Sequence, residues 1–366
     1  MDKEYHQFLG ICFVTAGAIL CLVSFFNIKY DASNIFLPKF FYQELAGQLK
    51  QGKYLRGLLK NSDDRVLKES MLEIFDKPDV VAVGSSVIME LHGDALNNFK
   101  NKKFLNLWLT FAGVEDLWGI LGCYLYNQKA LPQTMIMDIS PWYFDVNPHK
   151  SWQSLGRYID FLDHTVTVQQ PPSLWRNMRL AWSYAKAKVD LNGVYTVLKS
   201  LNPKITSYNL AHWKEAKENH SYVAFDKSFI PPEDVLYHPD GSTTPSPTIF
   251  VPVRNDAEIL YSKEPRIDFN QVKRLETLLE YLIREGVQLY IYLPPSNPAR
   301  YAKMTILKEK SAVIRIESIV KNFAKTHHIP VIGSYDPGVL GWQRNDFYDE
   351  HHPHLDPLRK LFQENF

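Results

Sequence analysis

The sequence is poor in cysteine: three occur in 366 residues, and two of them, Cys12 and Cys21, lie inside its most apolar stretch, leaving Cys123 alone in the remainder. That excludes a disulfide framework and a CxxC metal site. Excess charge of one sign is also lacking, since Lys and Arg (41) are matched by Asp and Glu (40) and the formal charge is +1. Without a clustered basic surface to displace counterions from phosphates, nucleic acid is not an expected partner. Glycine (17) and proline (22) are too few for a collagen-like or low-complexity chain. The 45% of hydrophobic residues argue against disorder over most of the length. No internal repeat is visible.

What the chain does have is one long apolar run. From Phe8 to Phe26 it carries no charge for 19 residues, about the length of a helix that crosses a hydrocarbon core. The run exceeds the apolar region of a secretory signal, and no small-x-small cleavage site follows before Asn27. The residues preceding Cys12 and Cys21 are Ile11 and Leu20, which do not suit lipid attachment. We therefore read residues 1–28 as a cytoplasmic tip and transmembrane anchor, a cleaved signal or a buried core helix being the competing readings. Lys3 precedes the span while Lys29 and Lys39 follow it, so charge alone does not orient it.

Residues 29–78 read as a linker and stalk helices, with Leu45, Leu49, Leu55, Leu58 and Leu59 near helical spacing. From residue 79 the pattern alternates. Strands are expected over Asp79–Gly84, Phe104–Thr110, Thr134–Ile139, Val287–Leu293 and Ile329–Gly333, and helices over Glu115–Asn127, Asp268–Glu285 and Lys308–Thr326. A last helix follows the C-terminal loop. Strands alternating with helices imply an α/β fold with a parallel sheet and flanking helices. Residues 151–265 break this rhythm with a helical stretch over 173–201 and turn-rich segments at His238–Ser242 and Pro245–Pro247, and read as an insertion or lid.

Two distant places hold the residue types of nucleophilic catalysis: Gly84-Ser85-Ser86, and Asp349-Glu350-His351-His352-Pro353. A serine that ends a buried strand sits at the carboxyl edge of the sheet, where open α/β folds bind ligands. Serine needs an imidazole to take its proton and a carboxylate to hold that imidazole's tautomer. Asp349 and His352, three residues apart, supply both. The Gly-x-Ser-x-Gly elbow of α/β-hydrolases is absent, because Gly84-Ser85-Ser86-Val87-Ile88 lacks the second glycine.

The GSS segment after an apolar strand, the later Pro294-Pro295-Ser296-Asn297-Pro298 after another, and the terminal D-x-x-H-P together resemble the SGNH/GDSL hydrolase superfamily. More narrowly they resemble membrane-anchored SGNH-like proteins of bacterial envelopes, which act beside membrane-bound O-acyltransferases in modifying teichoic acids, alginate or other glycans. The resemblance covers residues 79–366 apart from the insertion. It implies a flavodoxin-like three-layer domain facing the extracytoplasmic side, with Ser86 as nucleophile, His352 as general base and Asp349 orienting His352. It also implies an oxyanion hole built from the N–H groups of Ser86 and Gly113, no cofactor, and an acyl donor or envelope glycan as partner. The family's third donor, an asparagine, has no counterpart, since Asp138-Ile139-Ser140-Pro141-Trp142 follows the third strand and a carboxylate is not a donor unless protonated.

Other readings of the same residues stay open. Ser86 suits a helix cap, and Asp349 with His352 suits a solvated loop. His351, His352 and His354 with Asp349, Glu350 and Asp356 have the chemistry of a metal set, although no matching ligand pattern occurs elsewhere. Trp142 and Tyr143 are the aromatics expected nearest the cleft, Phe144 is expected in the core, and Pro294–Pro298 reads equally as pocket lining or rigid turn. An enzyme acting on acyl esters and an inactive scaffold that binds glycan or a membrane acyltransferase are the two functions to be separated.

Overall fold

The computed structural model describes residues 3–29, 39–56, 63–99, 101–145, 154–167, 200–212, 223–225, 235–245, 266–306 and 311–365. Leu58 and Leu59, most of the helical stretch expected over 173–201, and Ser246 and Pro247 lie outside these residues.

Five parallel strands form the central sheet: β2 (Val80–Ser85), β3 (Phe104–Leu109), β4 (Thr134–Asp138), β8 (Gln288–Leu293) and β9 (Val331–Gly333). They lie in the order β3-β2-β4-β8-β9. All six residues of β2 and all five of β4 are buried, as expected of strands covered on both faces, whose sequences read as continuous apolar runs rather than alternations. Flanking helices include α4 (Val114–Gln128) and the later helices Phe269–Arg284, Ala312–Thr326 and Leu355–Asn365. Gly286, at φ +80°, follows Phe269–Arg284 and ends it, as the sequence suggests.

The chain enters the sheet at β2, one place in from the edge, steps outward to the edge strand β3, then returns past β2 to β4. The carboxyl ends of β2 and β4 therefore flank the point where the winding reverses. Open α/β sheets place their ligands at such a reversal point. Ser86 follows β2 there.

Within the residues read as linker and stalk helices lie α2 (Lys39–Lys50) and α3 (Asp64–Ile74), whose Leu45, Leu49, Leu67 and Met71 join the same hydrophobic core as the sheet. One feature was not expected. A small antiparallel sheet, ordered β5-β1-β6-β7, forms from β1 (Tyr54–Arg56), β5 (Val223–Phe225), β6 (Leu236–Tyr237) and β7 (Thr243–Thr244). Strands of two or three residues are too short to show a period. The fully buried Lys68 ties the Pro239-Asp240-Gly241 turn of this sheet to β3 by donating to the carbonyls of Asn106 and Gly241. Burial lowers the Lys68 ammonium to about 8.

Helix α1 (Lys3–Lys29) is the apolar helix, about 40 Å long at 1.5 Å per residue. Its side chains stand largely exposed, Phe13 at 77% and Leu22 at 67%. Near its end the buried Asn27 donates to the carbonyl of Ser200 (2.6 Å) and to Thr206 Oγ1 (2.7 Å), so α1 is hydrogen-bonded to the helix Pro203–His212.

Gly84 lies where β2 comes closest to Asp138. A Cβ added there would stand 2.3 Å from Asp138 Cβ and 2.7 Å from its Oδ2, both rigidly held. Gly84→Ala should therefore destabilise the fold by roughly 1–3 kcal/mol through overpacking. Thermal unfolding of the purified chain checks this, and a variant melting with the wild type would show that the two strands separate freely.

Candidate active site

Ser86 opens a single 3-10 turn directly after β2 and is partly exposed, while its neighbour Ser85 is fully buried. The fixed point of this junction is Asp138, the last residue of β4, which is itself fully buried. Its Oδ2 accepts the Ser85 N–H (2.8 Å), the Ser85 hydroxyl (2.8 Å) and the Tyr143 phenol (2.9 Å), and its Oδ1 accepts the Ser140 hydroxyl (2.8 Å). Burial raises the Asp138 carboxyl above the ordinary carboxylate range, while these donors act in the opposite direction. Asp138 stands in the strand-end position where the sequence resemblance leads one to seek an oxyanion donor. It is an acceptor, and its function here is to hold the end of β2.

The second half of the site comes from the C-terminal loop. The antiparallel bridge Phe347↔Pro353 and the Tyr348 N–H to His352 carbonyl bond (2.9 Å) close this loop. Within it, Asp349 Oδ1 accepts the N–H groups of His351 (2.8 Å) and His352 (2.9 Å), an arrangement available to a short carboxylate two or three residues upstream. Asp349 Oδ2 lies 2.8 Å from His352 Nδ1, and His352 Nε2 lies 2.8 Å from Ser86 Oγ. Ser86, His352 and Asp349 thus form one continuous chain of hydrogen bonds joining residues 266 positions apart.

The electrostatics fix the direction of this chain. Burial acts to raise Asp349, but the hydrogen bond with His352 and the charges of His352 and His351 outweigh it and hold the carboxyl below its ordinary range. An ionised Asp349 only accepts, so His352 Nδ1 carries the proton and donates. In the neutral ring Nε2 is then a bare acceptor facing the Ser86 hydroxyl, the geometry of a general base.

The Pro294–Pro298 segment, read as lining or turn, grips this loop. Asn297 donates its backbone N–H to the Glu350 carbonyl (3.0 Å) and its side-chain amide to the Asp349 carbonyl (3.2 Å). Its Oδ1 caps the helix Pro298–Met304 by accepting from Ala299 N–H. From that helix Arg300 reaches Glu350 Oε2 (3.0 Å) and His351 Nδ1 (3.1 Å). Burial, the neighbouring His352 and Arg300 push His351 well below its ordinary value, despite Asp349. Because a guanidinium only donates, His351 Nδ1 is the acceptor in its contact with Arg300. The sequence signal was present as Asn-Pro, an N-cap followed by proline at the first helical position. Its link to the distant loop was not.

Three expected site residues are placed differently from one another. Trp142 is half-buried with its ring edge-on to His351 at 5.6 Å, beside the site. Tyr143 is fully buried and bonds Asp138, so it belongs to the core and not to the cleft, because the short turn after β4 directs its phenol inward; Phe144 is core as expected. Gly113 begins α4 with its N–H donated to Asp116 Oδ2 (2.9 Å), which withholds that donor from an oxyanion. Asp116 is in turn paired with the buried Arg65 (2.7 Å). Asp349, His351 and His352 offer ligand atoms within 4.8 Å of one another. A metal there would compete with the Asp349–His352 and His352–Ser86 bonds, and His354 and Asp356 are not part of that set.

Because the folded-state value of Asp349 is depressed, its contribution to stability is present above the ordinary carboxylate value and is lost as pH falls through the lowered one. Asp349→Asn should cost roughly 1–3 kcal/mol near neutrality, with the deficit shrinking below about pH 4. Denaturant unfolding at the two pH values measures this; a deficit independent of pH would mean that Asp349 is not ionised as described. No protein-family model matches the chain, and no curated protein is significantly similar to it, so the reading of this site rests on its own geometry.

Proposed function

We propose that the chain is a membrane-anchored, SGNH-like serine esterase or O-acyltransferase that acts on acyl esters of an extracytoplasmic envelope glycan. The observation that carries this reading is the Ser86–His352–Asp349 hydrogen-bond chain, at 2.8 Å for both side-chain links. Its position at the reversal point of a parallel sheet, and the D-x-x-H-P and GSS segments that supply it, support the same family.

In the reaction, Ser86 Oγ attacks the acyl carbonyl while its proton passes to His352 Nε2, and the imidazolium is stabilised by Asp349. His352 then returns the proton to the leaving alcohol as the acyl–oxygen bond breaks. Water or a sugar hydroxyl, deprotonated by His352, attacks the acyl-enzyme and restores Ser86. Trp142 beside His351 offers an aromatic face to the sugar or acyl group.

One observation favours a second reading. Gly113 N–H is held by Asp116, and Asp138 is an acceptor, so two of the three family positions for oxyanion donors supply none. A missing donor costs about 100–1,000-fold in turnover. That fits a slow transferase, and it fits equally a scaffold that binds glycan or docks on a membrane-bound O-acyltransferase.

Helix α1 supports the anchor: among the described residues, one helix, His6–Lys29, is long and apolar enough to cross a bilayer. With one span and the domain outside, a C-terminal reporter that functions only beyond the cytoplasm should be active. A reporter active only in the cytoplasm would reverse the proposed orientation.

The enzyme reading is tested by fluorophosphonate labelling of the full chain in detergent, followed by p-nitrophenyl acetate hydrolysis. Wild type should label, Ser86→Ala should not, and His352→Ala should label about 100- to 10,000-fold more slowly. A folded wild type that neither labels nor hydrolyses would leave the non-catalytic scaffold as the function.

A further inference from the structure

Four residues beyond Ser86, Glu90 is 98% buried. Its Oε1 accepts the Tyr348 hydroxyl at 3.1 Å, and its Oε2, equally buried, has no hydrogen-bond partner. A buried carboxyl with half of its capacity unused is costly and calls for an explanation. Tyr348 directly precedes Asp349. Its N–H bonds the His352 carbonyl (2.9 Å), and its ring packs on His354 with centroids 3.8 Å apart. The Tyr348 phenol is therefore a side-chain link between the segment that carries the serine and the loop that carries its base.

We propose that Glu90 is a positioning residue for this site: by accepting the Tyr348 hydroxyl it locks the Asp349–His352 loop onto the Ser86 segment. The proposal rests on the reading of Ser86 as a nucleophile. It explains why an otherwise unfavourable carboxyl is kept at this point, since a single bond from Glu90 fixes the loop directly before Asp349. The distance between His352 Nε2 and Ser86 Oγ depends on how the two segments are registered, and a displacement of about 1 Å in such a contact costs on the order of 100-fold in rate.

The burial of Glu90 also makes this link sensitive to pH. The titratable and charged groups around Glu90 are Tyr348 and His354 on the loop, and Asp356 and Arg359 on the helix Leu355–Asn365. Burial raises Glu90 to about 8, with Asp356 adding to the rise and the Tyr348 bond and Arg359 opposing it. With the folded-state value raised, burial of this carboxyl is most favourable below the ordinary carboxylate value and becomes unfavourable as pH rises through about 8. The Tyr348 hydroxyl bonds the ionised group more strongly, so above that pH the loss comes from the desolvated, unpartnered Oε2, and water drawn to it loosens the packing of the loop.

The test is the rate of fluorophosphonate labelling of the full chain in detergent as a function of pH, with tryptophan-fluorescence melting to confirm folding. Wild type should lose rate on the alkaline side with a midpoint near 8. Glu90→Gln keeps the acceptor and cannot ionise, so it should retain the neutral-pH rate within about threefold and lose the alkaline fall. Tyr348→Phe should label about 10- to 100-fold more slowly at unchanged half-saturating probe concentration, and adding Glu90→Leu to it should lower the rate no further. A labelling wild type whose alkaline profile matches that of Glu90→Gln, or a Tyr348→Phe variant at wild-type rate, overturns the proposal alone. A wild type silent at every pH overturns the nucleophile reading and this proposal with it.

Discussion

The buried carboxyl of Asp138 is the constraint on which the site depends. Taking a carboxyl wholly out of water is unfavourable unless donors replace the solvent, and here four do, two of them from Ser85. Because Ser85 is clasped through both its backbone and its side chain, β2 cannot slide relative to β4, and the chain leaves the sheet at one defined angle. Gly84 is part of the same arrangement, since only the absence of a side chain there allows the carboxyl so near. The partly exposed position of Ser86 follows from these contacts one residue earlier.

The other half of the site is held by a different logic. No strand fixes Asp349 and His352; they sit on a loop, and their precision comes from bonds to neighbours on three sides. Asn297 and Arg300 hold the loop from the β8 side, Glu90 holds it from the β2 side through Tyr348, and Asp349 folds the loop on itself through two backbone N–H groups. Rigid elements supply Ser86 and a tethered loop supplies His352, a division common where a loop carries functional groups on a fixed scaffold.

Much of this was legible in the sequence where the signal is local. The five sheet strands read as apolar runs because both faces of the sheet are covered, and Gly286 and the Pro-Asp-Gly turn announced themselves through glycine's tolerance of positive φ. Ser86, Asp349 and His352 could be singled out because their residue types and spacing match a mechanism. What was hidden depends on contacts between distant segments. Tyr143 and Trp142 are adjacent and similar in type, yet one is core and the other borders the site, a distinction set by a 3-10 turn of four residues. Gly113 looked available until Asp116, three residues on, was seen to take its N–H. The small sheet escaped notice because two- and three-residue strands carry no periodicity, and Glu90 because an isolated acid has no pattern.

The hydrogen bond between Ser86 and His352 spans 266 positions, and this separation has a consequence for the order in which the protein matures. During synthesis Ser86 emerges long before His352, and β2 must wait for β8, β9 and the C-terminal loop before the junction is whole. Non-local parallel pairings of this kind form late, after the cost of closing large loops has been met. A partly synthesised chain therefore carries a Ser86 hydroxyl without its imidazole partner, and the hydrogen-bond chain is assembled only when the loop at residues 347–353 has docked.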